Sequence, residues 1–175
     1  MYALFTPELE PLLDGLVLLD SAPDSSWQVE FAKIIKNHPS PGLNELHEQY
    51  QAHPSNEALK KVTVASAPWL FTQKGLAKGI TMLEGLPYNY QTCQWSDQHF
   101  DKTYAARWVP QTMPTLILAG QDDLITPIHL FSDRVAFNRS NISIQTINNA
   151  GHFPWIDNPQ EIFFAFQNFY LKFKK

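Results

Sequence analysis

Two kinds of apolar pattern alternate along the chain. The first is short and unbroken. It appears as Leu16-Val17-Leu18-Leu19-Asp20 after the turn at Asp14-Gly15, and again as Thr115-Leu116-Ile117-Leu118-Ala119 between Pro114 and Gly120. Runs this short, without polar alternation, predict strands buried on both faces, as in a parallel sheet. A third run, Ile142 to Ile147, largely alternates apolar and polar residues and predicts a half-exposed edge strand.

The second kind of pattern has helical spacing. Met1 to Phe5 read as the tail of a helix that stops near Thr6-Pro7. Trp27, Phe31, Ile34 and Ile35 predict a helix ended by Pro39 and Pro41, and Leu43 to Tyr50 a second, short one. Ser55, after Pro54, is placed to cap a third helix through Ala58, Leu59 and Val62. Leu76 to Leu83 predicts a fourth, and Asp97 to Trp108 a fifth with Phe100, Tyr104 and Trp108 on one stripe. Beyond the second strand, Thr126-Pro127 reads as an N-cap followed by proline, opening a helix to about Phe137. Asn158-Pro159-Gln160-Glu161 opens the last helix, with Ile162, Phe163, Phe166, Phe169, Tyr170 and Phe173 on one broad apolar face.

The order is therefore strand, helical insert, strand, helix, strand, helix. This alternation predicts an α/β fold: a three-stranded parallel sheet (16–20, 115–119 and 142–147) with helices on its faces. The helical stretch between the first two strands is too long for a simple crossover and reads as an inserted cap.

Composition narrows the function without naming it. A chain of 175 residues that is 44% hydrophobic and 17% charged suits one soluble globular domain with a sizeable core. The net charge of −4 gives nucleic acid no electrostatic footprint. The six histidines lack metal-ligand spacing and Cys93 stands alone, so neither a metal site, a cofactor site nor an internal disulfide is expected. Cys93 reads as a packing residue in the insert. No apolar run is long enough to span a bilayer and the start has no signal-peptide core, so a cytoplasmic protein without membrane contact is expected.

In a parallel sheet the functional groups gather in loops at the carboxyl ends of the strands. Three loops qualify: the one after Asp20, Gly120 to Pro127, and Asn148 to Asn158. The second holds Asp123 and the third His152. A carboxylate beside a loop histidine fixes the imidazole tautomer and stabilises the imidazolium, which is how a general base is built. Ser21, Ser25 and Ser26 follow the first strand but lack a strained strand-to-helix turn, and they read as turn formers. Trp69, Phe71, Tyr88, Tyr90 and Trp95 either pack the insert on the sheet or line an acyl or aromatic pocket.

"LILAGQDDLITP" followed by "NNAGHFPWIDNPQEI" resembles the C-terminal signature of the α/β-hydrolase superfamily. The resemblance rests on Gly120-x-x-Asp123 for the acid and on Gly151-His152 with Pro159 for the base. Asp122 falls one place short of the acid's spacing. "GLVLLDSAP" is similar to the strand after which capped members insert their lid. The resemblance implies a hydrolase core over residues 1–23 and 105–175, a helical cap or lid over 24–104, and catalytic roles for Asp123 and His152. It also implies that the nucleophile, normally set in a Gly-x-Ser-x-Gly elbow, lies upstream, because no such motif occurs in residues 1–175.

Two functions follow from the resemblance. In one, the chain hydrolyses an ester, a thioester or a similar acyl bond of a small molecule once an N-terminal half is supplied. In the other, it is a non-catalytic truncated hydrolase that binds or dimerises. Either way, strand 16–20 would expose an edge that invites a homodimer or a partner chain.

Overall fold

The computed structural model describes residues 2–40 and 42–171. Met1, Pro41 and Phe173, named above, lie outside the described residues. Three parallel strands form one sheet in the order β1 (Leu16–Leu19), β2 (Thr115–Gly120), β3 (Ile142–Ile147), with Leu16 opposite Thr115 and Thr115 opposite Ile142. The parallel register brings the ends of all three strands, at Asp20, Gly120 and Asn148, to one edge of the sheet.

Every residue of β2 is buried, because side chains on alternate positions enter two different cores. On one face Ile117, Leu16 and Leu18 meet Leu4, Phe131 and Phe137. On the other, Leu116, Leu118 and Ile147 meet Ile162, Ala165 and Phe169 of the last helix. Leu116, Ile117 and Leu118 are no more than 1% exposed, and burying each contributes about 2 kcal/mol. β1 is paired on one side only. Its second face, Val17 and Leu19, is only partly covered.

Between β1 and β2 run α2 (Trp27–Asn37), α3 (Leu43–Ala52), α4 (Asn56–Ala65), the short α5 (Ala67–Leu70) and α6 (Leu76–Gly85). Ser55 caps α4 as expected, its Oγ accepting from the Ala58 amide at 3.1 Å. The helix expected over 97–108 takes another course. It is continuous with α7 (Tyr90–Trp95) through a π turn at Ser96–Phe100, and it ends at Thr103 in α8 (Asp101–Thr103). Tertiary pairing outcompetes the helix there. The Ala106 and Arg107 amides donate to the Pro23 and Leu4 carbonyls, and the Trp108 indole donates to the Ala3 carbonyl. The bonds to Leu4 and Ala3 tie the segment to α1 (Tyr2–Phe5).

Two further expectations are corrected after β2. The single helix expected from Thr126 to Phe137 is split into α9 (His129–Ser132) and a 3-10 turn at Val135–Phe137. Arg134 adopts extended backbone between them and pairs with Asp24 at 2.6 Å. Thr126 caps no helix, because its hydroxyl is turned to Asp123. The last segment forms α10 (Pro154–Asp157) and α11 (Pro159–Leu171). Asn158 does cap α11, and the Glu161 carboxylate also accepts from the Asn148 side-chain and backbone N–H groups. The broad apolar face of α11 is only half used: Ile162, Ala165 and Phe169 are buried, while Phe163, Phe166 and Tyr170 are exposed.

Candidate active site

The acid and histidine loops are brought together because β2 and β3 are neighbours and both end at the same edge. Past β2 the Gln121 amide donates to Ile147 and the Asp122 amide to Ala150, sewing the two loops side by side. Gly120 permits this contact: a Cβ there would meet the Ala150 and Gly151 carbonyl oxygens at 2.3 and 2.1 Å. Asp122 is left facing solvent and Asp123 is turned inward.

The Asp123 side chain has no exposed surface, and the His152 side chain keeps 20% of its own. His152 Nδ1 lies 3.1 Å from each Asp123 carboxylate oxygen. The carboxylate also accepts from the Ile125 amide at 2.8 Å, the Thr126 amide at 3.1 Å and the Thr126 hydroxyl at 3.0 Å. Burial pushes the Asp123 carboxyl up. The hydrogen bond and charge of His152, joined by the Ile125 and Thr126 amides, outweigh that and hold it below the ordinary carboxylate range. A charged, fully bonded carboxylate on Nδ1 makes that nitrogen a donor. Nε2 is then the nitrogen that takes a proton.

A third titratable group was overlooked in the sequence. Asp20 directly follows β1 at the same edge, and one ligand-type atom from each of Asp20, Asp123 and His152 falls within 4.8 Å of the other two. Its backbone has φ +43°, unusual for a residue with a side chain. Its Oδ1 accepts from the Gly120 amide at 3.3 Å, while Oδ2 is buried without a hydrogen-bond partner. Burial first, and then the Asp123 charge, push the Asp20 carboxyl up to about 9, with the Gly120 amide opposing. Asp20 therefore stands protonated at neutral pH beside an ionised Asp123. The three groups have the spacing of metal ligands, and in the structure Asp123 and His152 Nδ1 are hydrogen-bonded to each other. Such a trio suits proton chemistry. The signal that could have found Asp20 was its place at the carboxyl end of a buried strand, the rule that found the other two.

Phe71 stacks on Phe153 at 5.0 Å, and Phe153 meets the His152 ring edge-on at 5.3 Å. Of the other aromatic candidates, Trp69 is buried with its indole donating to His38, Tyr88 donates to Leu83, and Trp95 is 52% exposed. A cleft of about 340 Å³ is lined by Phe31, Ile35, Leu43 and Trp69 among others, and His152 is not among its lining residues. Cys93 is half-buried, and burial followed by the Asp97 charge raises its thiol.

No protein-family model matches the sequence, and no curated protein does. Solved structures do match in fold. An alpha/beta fold family hydrolase from Bacillus anthracis str. Sterne superposes with a TM-score of 0.65 at 15% identity, over 90% of this chain and 58% of its own. An esterase from Thermogutta terrifontis gives 0.59 at 19% identity, over 99% and 61%. An epoxide hydrolase from Bacillus megaterium gives 0.53 at 14% identity, over 93% and 62%. The chain thus spans 58–62% of the length of these three structures.

Proposed function

We propose that this chain, which has the α/β-hydrolase fold over most of its length, supplies the acid and the base of an acyl-bond hydrolase. Asp123 is the acid and His152 the base. The substrate class is a small-molecule ester, thioester or similar acyl compound. The observation that carries the reading is the pairing of a fully buried, ionised Asp123 with His152 Nδ1, which readies Nε2 to deprotonate a nucleophile. Residues 24–104 act as the lid in this reading, and the nucleophile comes from polypeptide other than residues 1–175. The single cysteine makes no demand for an oxidising compartment, in keeping with a cytoplasmic setting.

The test is hydrolysis of p-nitrophenyl esters by this chain, alone and joined to the polypeptide encoded directly upstream of Met1. Activity is expected only in the joined protein, from an upstream Gly-x-Ser-x-Gly, and His152→Ala abolishes it. A joined protein that turns over esters equally well without His152 would sink the reading.

A second reading is favoured by a separate observation. β1 is an edge strand with a half-covered apolar face, and α11 exposes Phe163, Phe166 and Tyr170. A chain with these surfaces suits a binding or dimerisation module, joined to a second copy or a partner chain through strand 16–20. A lack of ester turnover in the joined protein together with a stable dimer would favour this reading over the first.

A further inference from the structure

The loop that carries His152 is anchored on a side that its pairing with Asp123 does not involve. Asp157, the last residue of α10, is buried. Its Oδ2 accepts from the Gly151 amide at 2.8 Å and the Thr72 amide at 3.1 Å, and its Oδ1 from the Thr72 hydroxyl at 2.9 Å. One donor is the residue directly before His152. The other two belong to the turn between α5 and α6, 85 positions away in the chain.

The surroundings are shaped to this contact. A Cβ on Gly75 would meet Asp157 Oδ1 at 1.7 Å, and one on Gly151 would meet the Leu70 carbonyl oxygen at 2.7 Å. The His152 amide itself donates to that Leu70 carbonyl at 2.8 Å. A buried carboxylate loses water on folding, so each of its three donors matters, and freeing them leaves both a charge and two amides unsatisfied. The helical segment between β1 and β2 therefore reaches the histidine through Asp157 as well as through packing.

We infer that Asp157 is a positioning residue for His152: its carboxylate makes the docking of the Leu70–Gly75 turn set where the imidazole stands. Docking of the helical segment and assembly of the Asp123–His152 pair are then one event. A movement that parts Thr72 from Asp157 also draws the Leu70 carbonyl away from the His152 amide and slackens the imidazole. This inference rests on the reading of His152 as a base, but it concerns placement and is read without any turnover.

The test is the tautomer of His152 in the full chain at mildly alkaline pH, followed by the nitrogen chemical shifts of its ring. In the unaltered protein the Nδ1–H form is expected, fixed by Asp123. Asp157→Ala is expected to give a mixture of tautomers at temperatures where circular dichroism shows the chain folded. Asp157→Asn, which keeps an oxygen for the two amides, is expected to restore the single form. A folded Asp157→Ala with the tautomer unchanged would overturn the inference and leave Asp157 a structural bond only. Should that variant not fold, Thr72→Val removes one donor and leaves the amides. A measurable admixture of the second tautomer supports the inference, and none overturns it. Failure of the underlying reading looks different, since the joined protein would then turn over esters equally well without His152 while the tautomer of the unaltered chain stays single.

Discussion

A methyl group on Gly120 would sit 2.1 Å from the carbonyl oxygen of Gly151. The end of the second strand thus passes so close to the histidine loop that only hydrogen fits between them. Gly120→Ala sets backbone against backbone, with no flexible side chain to yield. It is expected to destabilise the fold by about 3 kcal/mol, and to weaken the Asp123–His152 hydrogen bond. Chemical denaturation and the His152 ring shifts would check both effects. A stability within error of the unaltered protein would show that the loops can part.

Asp123→Asn keeps the volume of the side chain but replaces one acceptor with a donor. Either the amides of Ile125 and Thr126 or His152 Nδ1 must then face an N–H. The loss is expected to be about 2 kcal/mol, with the His152 tautomer reversed so that Nδ1 becomes the acceptor. Unchanged ring shifts would refute this arrangement of donors.

The two carboxyls of the site contribute to stability with opposite dependence on pH. Asp123 is held below its ordinary range when folded, so its contribution is present above that range and is lost as pH falls through the folded value. Asp20 is pushed up to about 9, so the folded chain holds a proton that the unfolded chain releases near pH 3.8. Its contribution is complete below the unfolded value and is lost as pH rises towards about 9, by at most about 1.4 kcal/mol per pH unit. Asp20→Asn keeps the acceptor for Gly120 and stays neutral. Its melting temperature is expected to match the unaltered protein at pH 4 and to exceed it increasingly at pH 6 and pH 8. A constant offset across that range would count against a protonated Asp20.

Phe163 and Tyr170 are 61% and 59% exposed on one side of α11. Replacing both with serine is expected to alter the stability of a monomer by less than about 0.5 kcal/mol each. If β1 and this helix form an association surface, the same double variant lowers the oligomeric state seen by sedimentation velocity. An oligomer unaffected by the change would place the contact elsewhere.

Sheet and site were legible in the sequence to different depths. The strands showed as unbroken apolar runs because parallel strands are buried on both faces, and Leu116 to Leu118 leave no polar position to confuse the period. Asp123 and His152 were legible because a loop after a strand has few residues able to carry a proton. Helix lengths were less legible. The stripe Phe100, Tyr104, Trp108 has helical spacing, but the backbone bonds of Ala106 and Arg107 to distant carbonyls decide the path, and no local pattern records them. Thr126 illustrates the same limit. Its place before Pro127 fits a helix cap, and only the neighbouring carboxylate draws its hydroxyl away. The apolar face of α11 predicted burial correctly for Ile162 and Phe169, but the sequence cannot show that no other element covers Phe163.

The pairing of β1 with β2 joins residues 99 positions apart, Leu16 with Thr115, whereas β2 and β3 join residues only 27 apart. Closing the longer loop costs about 1 kcal/mol more chain entropy. Long-range parallel pairing is also slow to form. The expected order of assembly is β2, β3 and α11 first and β1 last. The same strand is then the first to leave, so the amides of Leu16 and Asp20, which donate across to β2, are expected to exchange with solvent faster than those of Thr115 and Gln121, which donate to the β3 side. The strand that bears Asp20 is the one whose arrival completes the site, and its lifetime in place sets how long the three titratable groups stay together.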